Sequence, residues 1–352
     1  MLIILLSLAA GLLNAAAQSH TSTYVTNLSG TVSVIDNTTN TVVATIPVGI
    51  FPSGVAITPD GTRVYVTNIF NSISVIETAT NTVIATIPSG QLPTGIAITP
   101  DGTRAYVVNQ LLTNQGKNTV SVIDTMTNTI IATISVGLGA SEIAITPDGT
   151  RAYVPNAQDS IISVIDITTN KVATTIPLAG TAGIALTPDG TQAYVTSPGN
   201  GTVSVIDIAT NTVVATISLG TNQNPFGVAI TPDGTHGYVT ISFPNNFVSV
   251  IDTATNTVVS NVPVGLGPNG VAITADGSRA YVANEDSDSV SAIDTATNAV
   301  VATIAVGAGP VAVANTPMPQ TPTDKEQCKH LGYLKFGHFK NQGQCISYVE
   351  HH

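Results

Sequence analysis

The residues able to do chemistry in this 352-residue chain are few, and none forms a complete reaction centre. Glu285-Asp286-Ser287-Asp288 places three carboxylates within four residues. Such hard oxygen donors suit calcium, but the ordered Asp/Gly spacing of a dedicated calcium loop is absent. No metal is assigned on that basis; calcium stands as the one cofactor worth testing. Glu142 is a single carboxylate at the head of an apolar run, suited to lining a channel and insufficient for a mechanism. His20 and His236 are the histidines before residue 324, and neither neighbours a nucleophile or a second acid. Hydrolysis or elimination would need such a partner. Haem and copper would need a His/Cys/Met set that this stretch lacks. Cys328 and Cys345 flank His330 and His338, yet neither spacing is that of a zinc finger, and Lys329, Lys335 and Lys340 oppose a cation.

A second group of residues could bind without reacting. Phe51, Phe70, Phe226, Phe243 and Phe247 are the phenylalanines before the tail, and each falls where the chain departs from an otherwise monotonous pattern. So does the insertion at residues 110–118, which carries Leu111 and Leu112. Single exposed aromatics are ordinary on a protein surface, whereas a one-sided set marks an interface. The bland reading is that each ring plugs a gap.

The elements that position these groups come from a repeat. Tyr-Val recurs at Tyr24, Tyr65, Tyr106, Tyr153, Tyr194, Tyr238 and Tyr281, spaced 41, 41, 47, 41, 44 and 43 residues apart. A Ser-Val-Ile-Asp step keeps pace, ending at Asp36, Glu77, Asp124, Asp166, Asp207, Asp252 and Asp294. Each unit holds four β-branched runs bounded by Pro, Asp, Gly and Asn, which reads as a four-stranded antiparallel meander. Runs apolar on both faces must be covered on both, and with no helical pattern present the units must cover one another. A period near 40 residues with four strands per unit predicts an all-β, seven-bladed β-propeller. The chain enters at a second strand (Thr23-Tyr24-Val25) and leaves at a first strand (residues 309–314), so one blade is split between the ends. Zipping the last strand beside the earliest one removes an open sheet edge. Loops between first and second strands, and between third and fourth, are nearly identical from copy to copy. The other two loop sets share the opposite rim and carry almost all the variation, including the five Phe and the acidic cluster. The seven Tyr are expected to pack with a hydroxyl partner, and the Asp residues to bond their own turns.

Charged residues make up 9% of the chain and the net charge is −11, with 18 acids and 6 bases in residues 1–323. That balance excludes phosphate-backbone binding and attraction to anionic membranes. Residues 2–13 are apolar apart from Ser7, and Ala15-Ala-Ala17 offers a small-residue cleavage site, so residues 1–17 read as a secretory signal peptide even though no Lys or Arg precedes the apolar stretch. The propeller is assigned to residues 18–314 and a Pro/Thr linker to 315–323. Residues 324–352 form a tail whose Cys328 and Cys345 read as a disulfide in an exported protein.

Tyr24-Val-Thr-Asn27, Tyr65-Val-Thr-Asn68, Pro147-Asp-Gly149 and Ser204-Val-Ile-Asp207 resemble the repeat of the YVTN-repeat propellers, related to YncE-like and surface-layer proteins. The resemblance implies an exported, often cell-surface protein and carries no catalytic residue. The tail is similar to two-cysteine segments that end various secreted bacterial proteins. The expectation is therefore a secreted or cell-surface, monomeric, non-enzymatic binding propeller that engages a protein or polysaccharide. Its candidate binding residues are Phe51, Phe70, Leu111, Leu112, Glu142, Phe226, Phe243, Phe247, Glu285, Asp286 and Asp288. The competing expectation is an enzyme resembling propeller lactonases or lyases, working at the channel mouth.

Overall fold

Runs such as Arg63–Asn68 and Ser72–Glu77, rich in Val, Ile, Tyr and Thr and closed by Asp-Gly or Thr-Asn turns, form the strands their composition favours. The computed structural model describes residues 21–111 and 116–318. Their strands make seven four-stranded antiparallel sheets. Blade 2 is typical: Pro52–Ile57 is innermost, then Arg63–Asn68, Ser72–Glu77 and the outer strand Thr82–Pro88. Blades 3 to 7 follow the same order along the chain.

Blade 1 is the split one. Ser22–Asn27, Thr31–Asp36 and Thr41–Pro47 take their inner strand from Pro310–Asn315, which pairs with Ser22–Asn27 in the register Tyr24 to Ala314. The repeat continues one turn further, because Pro317 lies against Gly61 as Pro59 lies against Gly102. Thr316 also exchanges hydrogen bonds with the Ser22 backbone. The predicted closure is thus present.

No blade has a core of its own. Seven hydrophobic clusters each join one blade to the next; Tyr24, Val32, Val34 and Ile46 of blade 1, for example, meet Val64, Val66 and Ile76 of blade 2. Mutual covering holds for the inner three strands. It fails for the outer strands, which bury little besides an Ile or Val near the far end, such as Ile46 or Ile87. Val43, Ile84, Ile131, Val214, Val259 and Val301 are exposed on the circumference instead. An outer strand has a neighbour on one edge only, and the wedge between blades widens away from the axis.

Candidate functional site

The Thr of the Tyr-Val-Thr-Asn step is the bracket that sets the channel wall. Thr67 Oγ1 accepts the Gly54 N–H at 2.7 Å and donates to the Thr94 carbonyl of the next blade at 2.6 Å. Thr196 and Thr240 repeat the arrangement on Gly183 and Phe226, and on Gly227 and Asn269. The inner strands are thereby drawn so close that a Cβ on Gly54 would lie 2.3 Å from the Thr94 oxygen. Glycine is required there by that approach.

Ala283 lacks the bracket hydroxyl in blade 7, and a second sector departs further from this scheme. Val108 and Pro155 stand where the bracket Thr belongs, and Glu142 stands where Gly54, Gly95, Gly183, Gly227 and Gly270 stand in other blades. The inner strand of blade 4 is correspondingly reduced to Ala144–Ile145. Gly95 N–H bonds the Ser141 carbonyl directly at 2.9 Å, and the Ser141 hydroxyl reaches the Ala182 carbonyl at 3.2 Å. Three departures at one place on the ring put a single carboxylate on the axis.

The axis holds a cavity of about 300 Å³ walled by inner-strand residues of all seven blades, from the half of each strand nearest the variable rim. Its walls are mainly apolar, with Ile96, Ile184, Phe226 and Val228 among them, and Glu142 is the titratable group lining it. Glu142 is exposed to the channel, yet protein encircles it laterally. That enclosure governs its ionisation, since surroundings of low polarity disfavour the charged form. Desolvation pushes the carboxyl up to about 7, partly opposed by the Ile143 N–H.

The variable rim carries a second feature. Phe51 and Phe70 stack at 5.8 Å between centroids with planes tilted by 36°. They remain 45% and 59% exposed beside Ile50, so the rings touch each other without being covered. Phe51 also has φ +51°, the left-handed region, at a position where other blades place Gly139, Gly180, Gly267 or Gly309. A bulky residue there costs on the order of 1–3 kcal/mol.

The other expected site residues separate. Phe243 is exposed on the rim at blade 6, away from the blade 2 pair. Phe226 belongs to the inner strand Pro225–Ile230, not to a connection, and faces the channel. Phe247 opens the strand Phe247–Asp252 and packs against the blade 5–6 core, as the gap-filling reading has it. Leu111 borders the insertion, while Leu112 lies outside the described residues. Gln110 Nε2 donates to the Ala140 carbonyl at 2.6 Å, tying that insertion to the displaced strand of blade 4.

The acidic cluster does not converge. Glu285 accepts from Asn269 Nδ2 at 3.0 Å, Asp288 accepts the Gly309 N–H at 2.8 Å, and Asp286 packs on Gly267. Among the described residues, no group of three or more His, Cys, Asp or Glu is placed to hold a metal. His236 Nδ1 sits 2.8 Å from the Thr235 hydroxyl on the uniform rim. His20, the signal peptide, the linker beyond residue 318 and the Cys328/Cys345 pair all lie outside the described residues. Sequence reasoning missed Ile50, Ser141 and Asn269. Comparing the copies at the bracket position would have pointed to Ser141, because Val108 and Pro155 depart in two adjacent blades whereas Ala283 departs alone.

Residues 110–237 match a family described as YNCE-like beta-propeller. No curated protein matches the chain. Among solved structures, Kuenenia stuttgartiensis hydrazine synthase is similar at 27% identity and TM-score 0.71, over 78% of this chain and 92% of that one. A functionally unknown protein from Desulfotomaculum acetoxidans DSM 771 matches at 20% identity and TM-score 0.74, over 85% and 99%. A putative 6-phosphogluconolactonase from Bacteroides fragilis NCTC 9343 matches at 20% identity and TM-score 0.70, over 86% and 99%; at that identity the last two speak to fold alone. With seven closed four-stranded blades, the chain is a seven-bladed β-propeller, and its residues 110–237 are similar to the YncE-like propeller family.

Proposed function

We propose that this propeller is an exported, monomeric, non-enzymatic binding protein that grips a protein partner through its variable rim. The observation that carries the reading is Phe51: an exposed aromatic, stacked on exposed Phe70, at a backbone position that costs energy and that four other blades give to glycine. Strain retained at a ring left about half exposed is the mark of a functional residue. An aromatic pair at the centre of an apolar spot is a typical hot spot for protein association. The described rim charges are Asp159, Glu285, Asp286 and Asp288 against Lys117, which favours a partner with a basic surface. Phenylalanine lacks the polar tip with which Tyr or Trp accompany a sugar, so a protein fits better than a polysaccharide.

The test uses the full chain and a Phe51→Gly/Phe70→Ser double variant as immobilised baits against the extracytoplasmic proteins of the producing cell. A basic protein retained by the first bait and lost from the second is expected. Equal retention by both baits, or retention of polysaccharide alone, overturns the reading. Fractionation should place the chain outside the cytoplasm with its mature end at Gln18; an intact leader in the cytoplasm defeats the export half of the proposal.

A further inference from the structure

The axial cavity has no part in the rim contact, and its chemistry points to a different ligand. The geometry points to a binding site for a small organic cation, a primary ammonium on a short apolar body, whose charge is met by the Glu142 carboxylate. The volume, about 300 Å³, is at the lower end of small-molecule sites. The walls are mainly apolar, and the polar side chains lining them besides Glu142 are engaged: Ser141 Oγ with the Ala182 carbonyl, and Asn269 Nδ2 with Glu285. The carbonyls of Thr94, Phe226 and Asn269 are taken by bracket threonines.

Glu142 is left without a cation of its own. The elements packed around it bring Gly95 and Ile96 from blade 3, Ala182 and Gly183 from blade 5, and Phe226, Asn269 and Val311 across the channel, none of which titrates. Glu285, which holds the lining residue Asn269, carries a charge of the same sign. An ionised carboxylate enclosed by apolar walls with no counter-charge is costly, and a cation entering the site recovers that cost. A divalent metal would need six or more oxygens, which the cavity does not offer. An ammonium needs one carboxylate and an apolar surface for its body, with Phe226 able to face the charge. Since the carboxyl titrates near 7, the site gains its charge in the neutral range.

The ammonium could arrive on a free molecule or on a lysine of a partner. Calorimetry on the full chain would compare benzylamine hydrochloride, N-acetyl-lysine methylamide, benzyl alcohol and sodium benzoate. One or both amines should bind at least tenfold more tightly than the alcohol or benzoate. Preference for benzylamine assigns a free ligand, and preference for the lysine derivative a partner's side chain. Glu142→Gln should lose at least tenfold, and so should Glu142→Gly, which restores the residue of the other blades and safeguards folding. Phe51→Gly should bind the amine as the parent does, separating this site from the rim. Affinity should fall roughly a hundredfold from pH 8 to pH 5, since two pH units below a value near 7 leave about one carboxyl in a hundred ionised. No binding of either amine at millimolar concentration, or binding by both Glu142 variants as tight as the parent's, overturns the proposal.

Discussion

Tyr281 donates its hydroxyl to Asn40 Oδ1 at 2.8 Å, joining residues 241 positions apart and closing the ring between blade 7 and blade 1. The same bond recurs around the molecule, from Tyr24 to Asn81, Tyr65 to Asn128, Tyr106 to Asn170, Tyr153 to Asn211, Tyr194 to Asn256 and Tyr238 to Asn298. Each Asn serves twice, because it also occupies the left-handed corner of its turn with φ between 52° and 54°. Asparagine tolerates that conformation and brings an acceptor that glycine lacks.

Closure therefore has a measurable bond energy. Tyr281→Phe should cost about 1 kcal/mol by urea denaturation. Asn40→Gly keeps the corner and removes only the acceptor, so the double variant should show a coupling of about 1 kcal/mol. Strict additivity would mean that the bond contributes nothing to closure.

The same tyrosines set an alkaline limit. Burial pushes the hydroxyls of Tyr24, Tyr194, Tyr238 and Tyr281 up to about 12 from the ordinary 10. Because the folded values are raised, their contribution is complete below pH 10 and is lost as pH climbs through 12. Tyrosinate absorbance and loss of β-structure should rise together in that window. Ionisation of these residues near pH 10 with the sheets intact would contradict the burial argument.

Most of the architecture is legible in the chain itself, since Tyr-Val, Asp-Gly and Ser-Val-Ile-Asp recur in register and a split blade leaves complementary ends. The partners of repeated residues are not. Nothing local to Tyr24 names Asn81 as its acceptor, because the bond depends on how one blade leans on the next. The exposure of Val43 and Ile84 is equally hidden, as covering depends on distance from the axis and apolarity alone does not report it. Phe247 and Phe226 show the same limit: both sit beside variable loops in sequence, yet one packs into a blade junction and the other faces the channel.

A groove between blades 5 and 6 is explained by one substitution. Arg63, Arg104 and Arg151 each donate to a turn carbonyl of the following blade, at Thr125, Ile167 and Ile208. Gln192 stands at the equivalent place, and a groove opens there between Asp189 and Asp233, beside Thr253. Gln192→Arg should fill it, donate to the Thr253 carbonyl and pass between two carboxylates. The expected gain is about 1 kcal/mol, read from the urea midpoint. A lower midpoint would show that the groove cannot accept the side chain.

Phe51 predicts a loss of binding without a matching loss of stability. Replacing it with the glycine used elsewhere in the repeat relieves the left-handed strain and gives up the half of its surface that is covered. Phe51→Gly should leave stability within about 1 kcal/mol of the parent, because the relieved strain offsets the lost burial and the greater freedom of unfolded glycine. Partner capture should fall at the same time. A variant that is both less stable and fully competent in binding would assign Phe51 to packing.

Glu142 predicts a dependence of stability on pH opposite to that of the turn aspartates. Asp101, Asp148, Asp189 and Asp233 are held below the usual carboxylate range, first by a threonine hydroxyl and then by backbone N–H groups. Their folded values are depressed, so their contribution is present above about pH 4 and is lost as pH falls through the folded values. Glu142 has the raised value, about 7 against an ordinary 4.5. Its neutral form favours the folded state, so that contribution is complete below 4.5 and is lost as pH rises through 7. Glu142→Gln cannot ionise and escapes the loss. The variant's advantage in urea midpoint should therefore be small at pH 4 and larger at pH 8, with the aspartates cancelling because both proteins share them. Benzylamine at pH 8 should narrow the gap by raising the midpoint of the parent chain alone, since it pairs with the ionised carboxylate and finds no charge in the variant. An advantage of equal size at both pH values would mean that the channel hydrates Glu142 as bulk water does, and the case for an enclosed charge would fail with it.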